Sequence, residues 1–171
     1  MMEEKTPLKF WLLGLGILGT LLVTGMLAGD ASQYNIVDHQ AAGTAEMVNT
    51  IQADWRANGL SNAVIYGMIA DFVFIAIYSW GSFVAGRSLY RSGNTLVQLL
   101  GGVVVAAAIV FLISDYLETI LQLIQMLRDE GVDWMAATAA TAQPIKFAAF
   151  YVTFFGVIAA LIVRLVTRPK T

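Results

Sequence analysis

Four apolar stretches decide what this 171-residue chain can become, because each is long enough to cross roughly 30 Å of hydrocarbon at about 1.5 Å per residue. They run from Leu8 to Ala28, from about Ala63 to Ala85, from about Thr95 to Leu127 and from about Pro144 to Val166. None alternates apolar and polar residues, so helices are expected rather than the strands of a barrel. The pattern predicts an all-α polytopic membrane protein: a four-helix transmembrane bundle forming one integral membrane domain over 1–171. The third run exceeds what a span needs, which implies tilt or a continuation beyond the outer surface. Lys5 and Lys9, then an apolar run, then Gly29-Asp30-Ala31, also fit a secretory leader with a small-residue cleavage site. Phe10 to Ala28 is longer than the apolar core of such a leader, so the run reads as a retained span.

Composition agrees, with 58% hydrophobic residues and only 13% charged, where soluble domains hold about 25% charged. Lipid has to absorb that excess. There are no cysteines, which excludes disulfide scaffolds, thiol chemistry and iron–sulfur clusters, and the single histidine excludes bis-His haem within one chain. A net charge of −2 with no basic patch argues against nucleic acid. The expected partners are the bilayer and, within it, a second copy or another membrane protein.

Orientation follows from lysine and arginine placement. Lys5, Lys9, Arg87, Arg91, Arg164, Arg168 and Lys170 flank one side, and only Arg56 and Arg128 the other. This alternation predicts cytoplasmic N and C termini in a bacterial-type inner membrane. Trp11, Tyr90, Trp55 and Trp134 lie near run ends, where aromatic rings anchor.

In the long first connection, Val37, Ala41, Thr44, Val48, Ile51 and Trp55 recur at spacings of four and three, while Glu46, Asn49, Asp54 and Arg56 occupy the opposite face. That spacing predicts an amphipathic helix over 36–58, lying on the outer surface or capping the bundle, with a stop at Asn58-Gly59. The start of the fourth helix is open between Asp133, as a cap, and Pro144, in a first turn. Gly16, Thr20, Thr24 and Ala28, and likewise Ala149, Thr153, Gly156 and Ala160, form stripes of small residues that read as packing faces.

Charged residues at bilayer depth are costly, and Asp71, Asp115, Glu118 and Lys146 are the four found there. Counted from the inner-surface arginines at about 1.5 Å per residue, Asp71, Lys146 and Asp115 lie roughly 24, 27 and 36 Å away, all toward the outer side. Asp115, Glu118, Gln122 and Gln125 share one helix face, and Gly67, Asp71, Tyr78 and Ser82 share another. Three carboxyls around one lysine carry −2 when all are ionised, which a low dielectric disfavours, so a bound proton or cation is expected. The ligand- or ion-binding candidates are therefore Asp71, Asp115, Glu118, Lys146 and Gln122. Asp38, His39 and Tyr78 follow at lower rank. His39 reads as a solvated surface residue unless its helix folds over the bundle mouth.

Three function classes remain. The first is an outward-facing pocket that binds a proton, cation or small polar ligand for transport, sensing or ion coupling. The second is an enzyme acting on a lipid-like substrate by carboxylate acid/base or metal-assisted chemistry, with Asp115-x-x-Glu118, Asp71 and His39 around a divalent cation. The third is a structural subunit of a membrane complex whose ion pairs only fix helix register. No metal set, cofactor motif or catalytic motif singles one out.

Overall fold

A computed structural model describes residues 7–28 and 32–167, with the backbone alone over 26–28. Lys5, Arg168, Lys170 and the Gly29-Asp30-Ala31 segment lie outside the described residues. Within them all regular structure is helical: α1 (Lys9–Ala28), α2 (Ile36–Gln40), α3 (Ala45–Ala57), α4 (Ser61–Tyr90), α5 (Thr95–Arg128) and α6 (Asp133–Val166). Of these, α4, α5 and α6 are long and apolar enough to cross a membrane. Their polarity is also inverted relative to a soluble protein. Val73, Leu99, Ile113, Phe155 and Ile162 point outward, while Ser82, Asp115, Glu118, Gln122, Lys146 and Thr153 are buried inside. Only a lipid surround makes that distribution favourable.

Within the expected bundle, α4, α5 and α6 form the core and α1 lies along α4. Helix α5 packs extensively on both α4 and α6, α1 packs mainly on α4, and α4 meets α6 over a smaller area through Tyr78 with Phe150 and Thr153. Helix α1, with twenty residues, is shorter than α4, α5 and α6. Its seat on α4 depends on glycine. A Cβ on Gly14 would lie 2.7 Å from the Tyr78 Cα, and one on Gly81 would strike the backbone of Phe10 and Trp11. Trp11 then reaches α6, stacking on Phe154 at 5.9 Å. The packing face of α1 is thus Trp11, Gly14, Leu15 and Leu18. Gly16, Thr20 and Thr24 were the expected face, but they are exposed, and the Thr20 and Thr24 hydroxyls donate to carbonyls of their own helix at 3.0 Å. The Ala28 side chain is outside the described residues. On α6 the expected stripe does pack: Ala149, Thr153 and Ala160 are buried, and Gly156 sits against Val104.

Short connections set the register of the core. Asn94 caps α5 by accepting from Leu96 N at 3.0 Å and Val97 N at 3.2 Å, so α4 and α5 turn over within 91–94. The α5–α6 turn, 129–132, closes with Asp129 in the left-handed region at φ 53° and with Val132 N donating to Gln125 Oε1 at 3.0 Å. Helix α6 then begins at Asp133, which settles the open boundary against Pro144. Its first third is rich in alanine, the best helix former, and Ala136, Ala139 and Ala142 are buried. The helix continues through Pro144, whose missing N–H leaves the Ala140 carbonyl without its helical partner.

The connection between α1 and α4 holds two helices rather than one over 36–58. Thr44 caps α3 by accepting from Met47 N at 3.3 Å, and Gly43 before it holds φ +71°, so the helical path breaks between α2 and α3. Ile51 and Trp55 pack on Met68 and Met126, and Val48 is buried as well. Val37 and Ala41, placed on that same face by spacing, are exposed. Helix α3 is clasped to the α5–α6 turn by Ala45 N donating to Asp133 Oδ1 at 2.7 Å, Gly131 N donating to Asn49 Oδ1 at 2.6 Å, and an Arg56–Asp129 ion pair.

The α4–α5 crossing should be the stability-critical glycine contact. A Cβ on Gly101 would lie 2.7 Å from the Gly86 carbonyl oxygen, whereas one on Gly16 meets nothing within 4 Å. Gly101→Ala is expected to destabilise by about 1–3 kcal/mol through overpacking. Gly16→Ala should be neutral or stabilising by up to about 1 kcal/mol through helix propensity. Thermal unfolding in detergent or nanodiscs compares them, and equal melting temperatures would refute the assignment.

Candidate ion-pair site

The α5–α6 hairpin register alone places the site. Asp115 lies thirteen residues back from Arg128, the end of α5, and Lys146 lies thirteen on from Asp133, the start of α6. Across a four-residue turn these positions face each other. Lys146 Nζ donates to Asp115 Oδ1 at 3.0 Å and pairs with Glu118 Oε1, one turn further along α5, also at 3.0 Å. All three are enclosed, with Lys146 6%, Asp115 2% and Glu118 0% exposed. Such short N–H···O contacts between charged partners are the stronger kind of hydrogen bond.

Gln122, one turn beyond Glu118, donates from Nε2 to Glu118 Oε1 at 3.2 Å. Glu118 Oε1 therefore receives two donors, while Oε2 is buried without any partner in the protein. Asp71 of α4 stands half-buried at the edge of the group and accepts from Thr119 Oγ1 at 3.2 Å. Of the sequence candidates, the fold thus joins Asp115, Glu118, Lys146 and Gln122 directly and seats Asp71 beside them through Thr119. Gln125, on the same face, is occupied by backbone, donating to the Leu121 carbonyl at 3.2 Å and accepting from Val132 N.

His39 departs from its expected place. It is buried, stacked near Trp55 with ring centroids 5.1 Å apart and with Nε2 3.3 Å from Gln52 Nε2. An amide nitrogen only donates, so His39 Nε2 is the acceptor and Nδ1 carries the proton. Burial pushes the imidazole down to about 4, and an interaction with the Gln122 side chain opposes that shift. His39 consequently lies beside Gln122, whose Nε2 is bound to Glu118, because α2 folds over the end of α5 and α6 next to their connecting turn. Asp38 does not join. Its Oδ2 accepts from Asn35 N at 2.8 Å in a capping box. Tyr78 does not join either. It lies two turns inward of Asp71, donates or accepts with Thr153 Oγ1 at 2.8 Å, and packs among Phe74, Phe111 and Phe150.

Two contributors escaped the sequence reading. Thr119 carries no signal, since a lone threonine in an apolar helix usually bonds its own backbone. Gln52 falls at the helical spacing of Val48, Ile51 and Trp55, and its polarity hides its burial. The divalent-cation arrangement of Asp115, Glu118, Asp71 and His39 is not formed: among the described residues no three His, Asp or Glu side chains are set to hold a metal ion. The two α5 carboxylates converge on the Lys146 ammonium instead. An open apolar groove of about 510 Å³ lies on the lipid side of the same hairpin, lined by Val110, Ile113, Leu117, Ala137 and Ile145 with the Ser114 and Thr138 hydroxyls. No protein-family model, curated protein or solved structure matches the chain.

His39 supplies a pH dependence of the cap formed by α2 and α3. Its folded value of about 4 lies below the ordinary 6.5, so the folded cap holds the neutral form. The associated stability is full above pH 6.5 and is lost as the pH falls toward 4. Protection of α2 amides against hydrogen exchange, corrected for intrinsic rates, should fall about a hundred-fold between pH 7 and pH 4 by this linkage. His39→Phe, which retains the aromatic contact, should lack that component. The cap carboxylates are common to both proteins and cancel in the comparison. Identical pH profiles would show that the cap does not sense this histidine.

Proposed function

We propose that the carboxylate–lysine group is an outward-facing site that binds a proton or a small cation, in the service of transport, sensing or ion coupling. The observation that carries this reading is the enclosed Lys146 meeting two carboxylates at once, with Glu118 Oε2 left without a protein partner. One ammonium balances one carboxylate. The second needs a proton or cation to be tolerable in low dielectric, and Asp71 adds to that demand. The outer face favours cations as well. Asp38, Glu46, Asp54, Asp129, Glu130 and Asp133 outnumber Arg56 and Arg128 there, a field that gathers positive charge at the mouth. In the same proposal the chain crosses a bacterial-type inner membrane four times with both termini cytoplasmic. The twenty residues of α1 reach about 30 Å, and the lysine and arginine asymmetry supports the orientation.

One observation favours a second reading, an enzyme on a lipid-like substrate: the apolar groove borders Ser114 and Ile145, the sequence neighbours of Asp115 and Lys146. Its separate test is turnover of membrane lipid by purified protein, lost on Asp115→Asn.

Infrared difference spectra of the protein in nanodiscs, on stepping between pH 5 and pH 8 or on adding Na⁺, test the main reading. A carboxyl signal that disappears in Glu118→Gln is the expected result. Wild type and folded Glu118→Gln giving the same spectra would reduce the group to a structural brace. Lys146→Met should cost about 3–5 kcal/mol by stranding the carboxylates, and the neutral triple variant Asp115→Asn/Glu118→Gln/Lys146→Met should recover most of it. For topology, a C-terminal reporter that is active only in the cytoplasm should be active, and activity solely in the outer compartment would refute the orientation.

A further inference from the structure

The ion-pair group does not end at Gln122. Two hydrogen-bonded pairs, Gln122 with Glu118 and Gln52 with His39, lie one beyond the other where α2 meets the hairpin, with the His39 ring beside the Gln122 side chain. Three buried polar atoms of these residues lack a protein partner: Glu118 Oε2, His39 Nδ1 and Gln52 Oε1. Buried polar atoms nearly always find partners. Three orphans on these residues therefore call for small hydrogen-bonding occupants, and water satisfies both the two acceptors and the one donor. The donor decides the chemistry. With Nε2 accepting from Gln52, the buried Nδ1 of His39 carries an unpartnered N–H, which suits a water oxygen and opposes a bare metal cation.

The elements that cover these residues are held unequally. Helix α3 is clasped to the α5–α6 turn by Asp133, Asn49 and the Arg56–Asp129 pair. Helix α2 meets α6 through Gln143 Nε2, which donates to the Val37 carbonyl at 3.2 Å, and meets α3 through His39; Tyr34 before it accepts from Trp55 Nε1 at 2.9 Å. The turn between them contains Gly43 at φ +71°. Helix α2 is thus attached to the hairpin by fewer direct bonds than α3, and Gly43 separates the two helices.

We propose that Gln122, His39 and Gln52 line the outer access path of the Glu118 site, that α2 is its cover, and that the path carries protons along water. A proton moves from outside water, through water held at His39 and Gln52, to Glu118 Oε2, and returns the same way. His39 is a positioning residue in this scheme: it holds the water and latches α2. The inference rests on the proton-binding reading above.

Both claims are tested on the full chain in nanodiscs. The first readout is the rate at which the Glu118 infrared signal responds to a pH jump. His39→Phe should slow it ten-fold or more by removing the polar lining while keeping the contact with Trp55. His39→Gln should stay within about three-fold of wild type. Phe and Gln variants that respond at the same rate would overturn the path. The second readout uses the absence of native cysteine. Gln122→Cys should react with a small water-soluble thiosulfonate at least ten-fold faster when His39 is also replaced by alanine, and an equal rate would overturn α2 as cover. If wild type shows no Glu118 signal at all, the proton-binding reading fails. If the signal is present and indifferent to His39, only the access path fails.

Discussion

A lysine ammonium enclosed among apolar helices is the constraint around which this molecule is arranged. In low dielectric Lys146 is tolerable only with anionic partners at hydrogen-bonding distance, and those partners must come from a helix whose register is fixed to within a fraction of a turn. The α5–α6 hairpin meets that demand by its four-residue turn, which sets Asp115 opposite Lys146 and Glu118 one turn above. The turn is in turn fixed by groups with no charge chemistry of their own. Gln125 holds the Val132 backbone, and Asn49 and Asp133 tie the turn to α3. Even the burial of Val48, Ile51 and Trp55 serves this register, because it seats α3 where the clasp can form.

What was readable in the sequence divides along physical lines. Long apolar runs announce helices because hydrocarbon tolerates no unpaired backbone. The common face of Asp115, Glu118 and Gln122 follows from spacing alone. The start of α6 was ambiguous because Pro144 is a favourable first-turn residue, whereas the Ala-rich stretch before it carries no strong apolar signal. The choice of partner among the three carboxyls depends on that boundary, since a start at Asp133 makes the hairpin symmetric about Asp115 and Lys146. The packing face of α1 was missed for a different reason. Gly14 and Gly81 bring two backbones together, and a glycine shows its partner only once both helices are placed. His39 looked like a surface residue because its five-residue helix is too short to show a periodicity.

The cap formed by α2 and α3 follows different rules from the long helices it covers. Its core is that of a small soluble unit, with Trp55 and Ile51 inside and charges outside, while the spanning helices hide their polar side chains and expose their apolar ones. The two regimes meet at Gln122. An uncharged amide suits that boundary: it donates to a carboxylate below and faces an imidazole above without adding a charge to be neutralised.

Whether the group is only a brace can be argued from its asymmetry. A brace needs one salt bridge and satisfied neighbours, and Asp115 with Lys146 already provides that. A glutamine at position 118 would still offer a carbonyl oxygen to the Lys146 ammonium, without introducing a second charge. The carboxylate present there instead leaves one oxygen buried and unpartnered, an arrangement that costs about 1–3 kcal/mol for an orphaned polar group and more when it is charged. Such a cost has no return in packing, because Glu118 is already enclosed on every side. It has a return if that oxygen is where a proton arrives and leaves. The part of the site that contributes least to holding the helices together is therefore the part best placed to do chemistry.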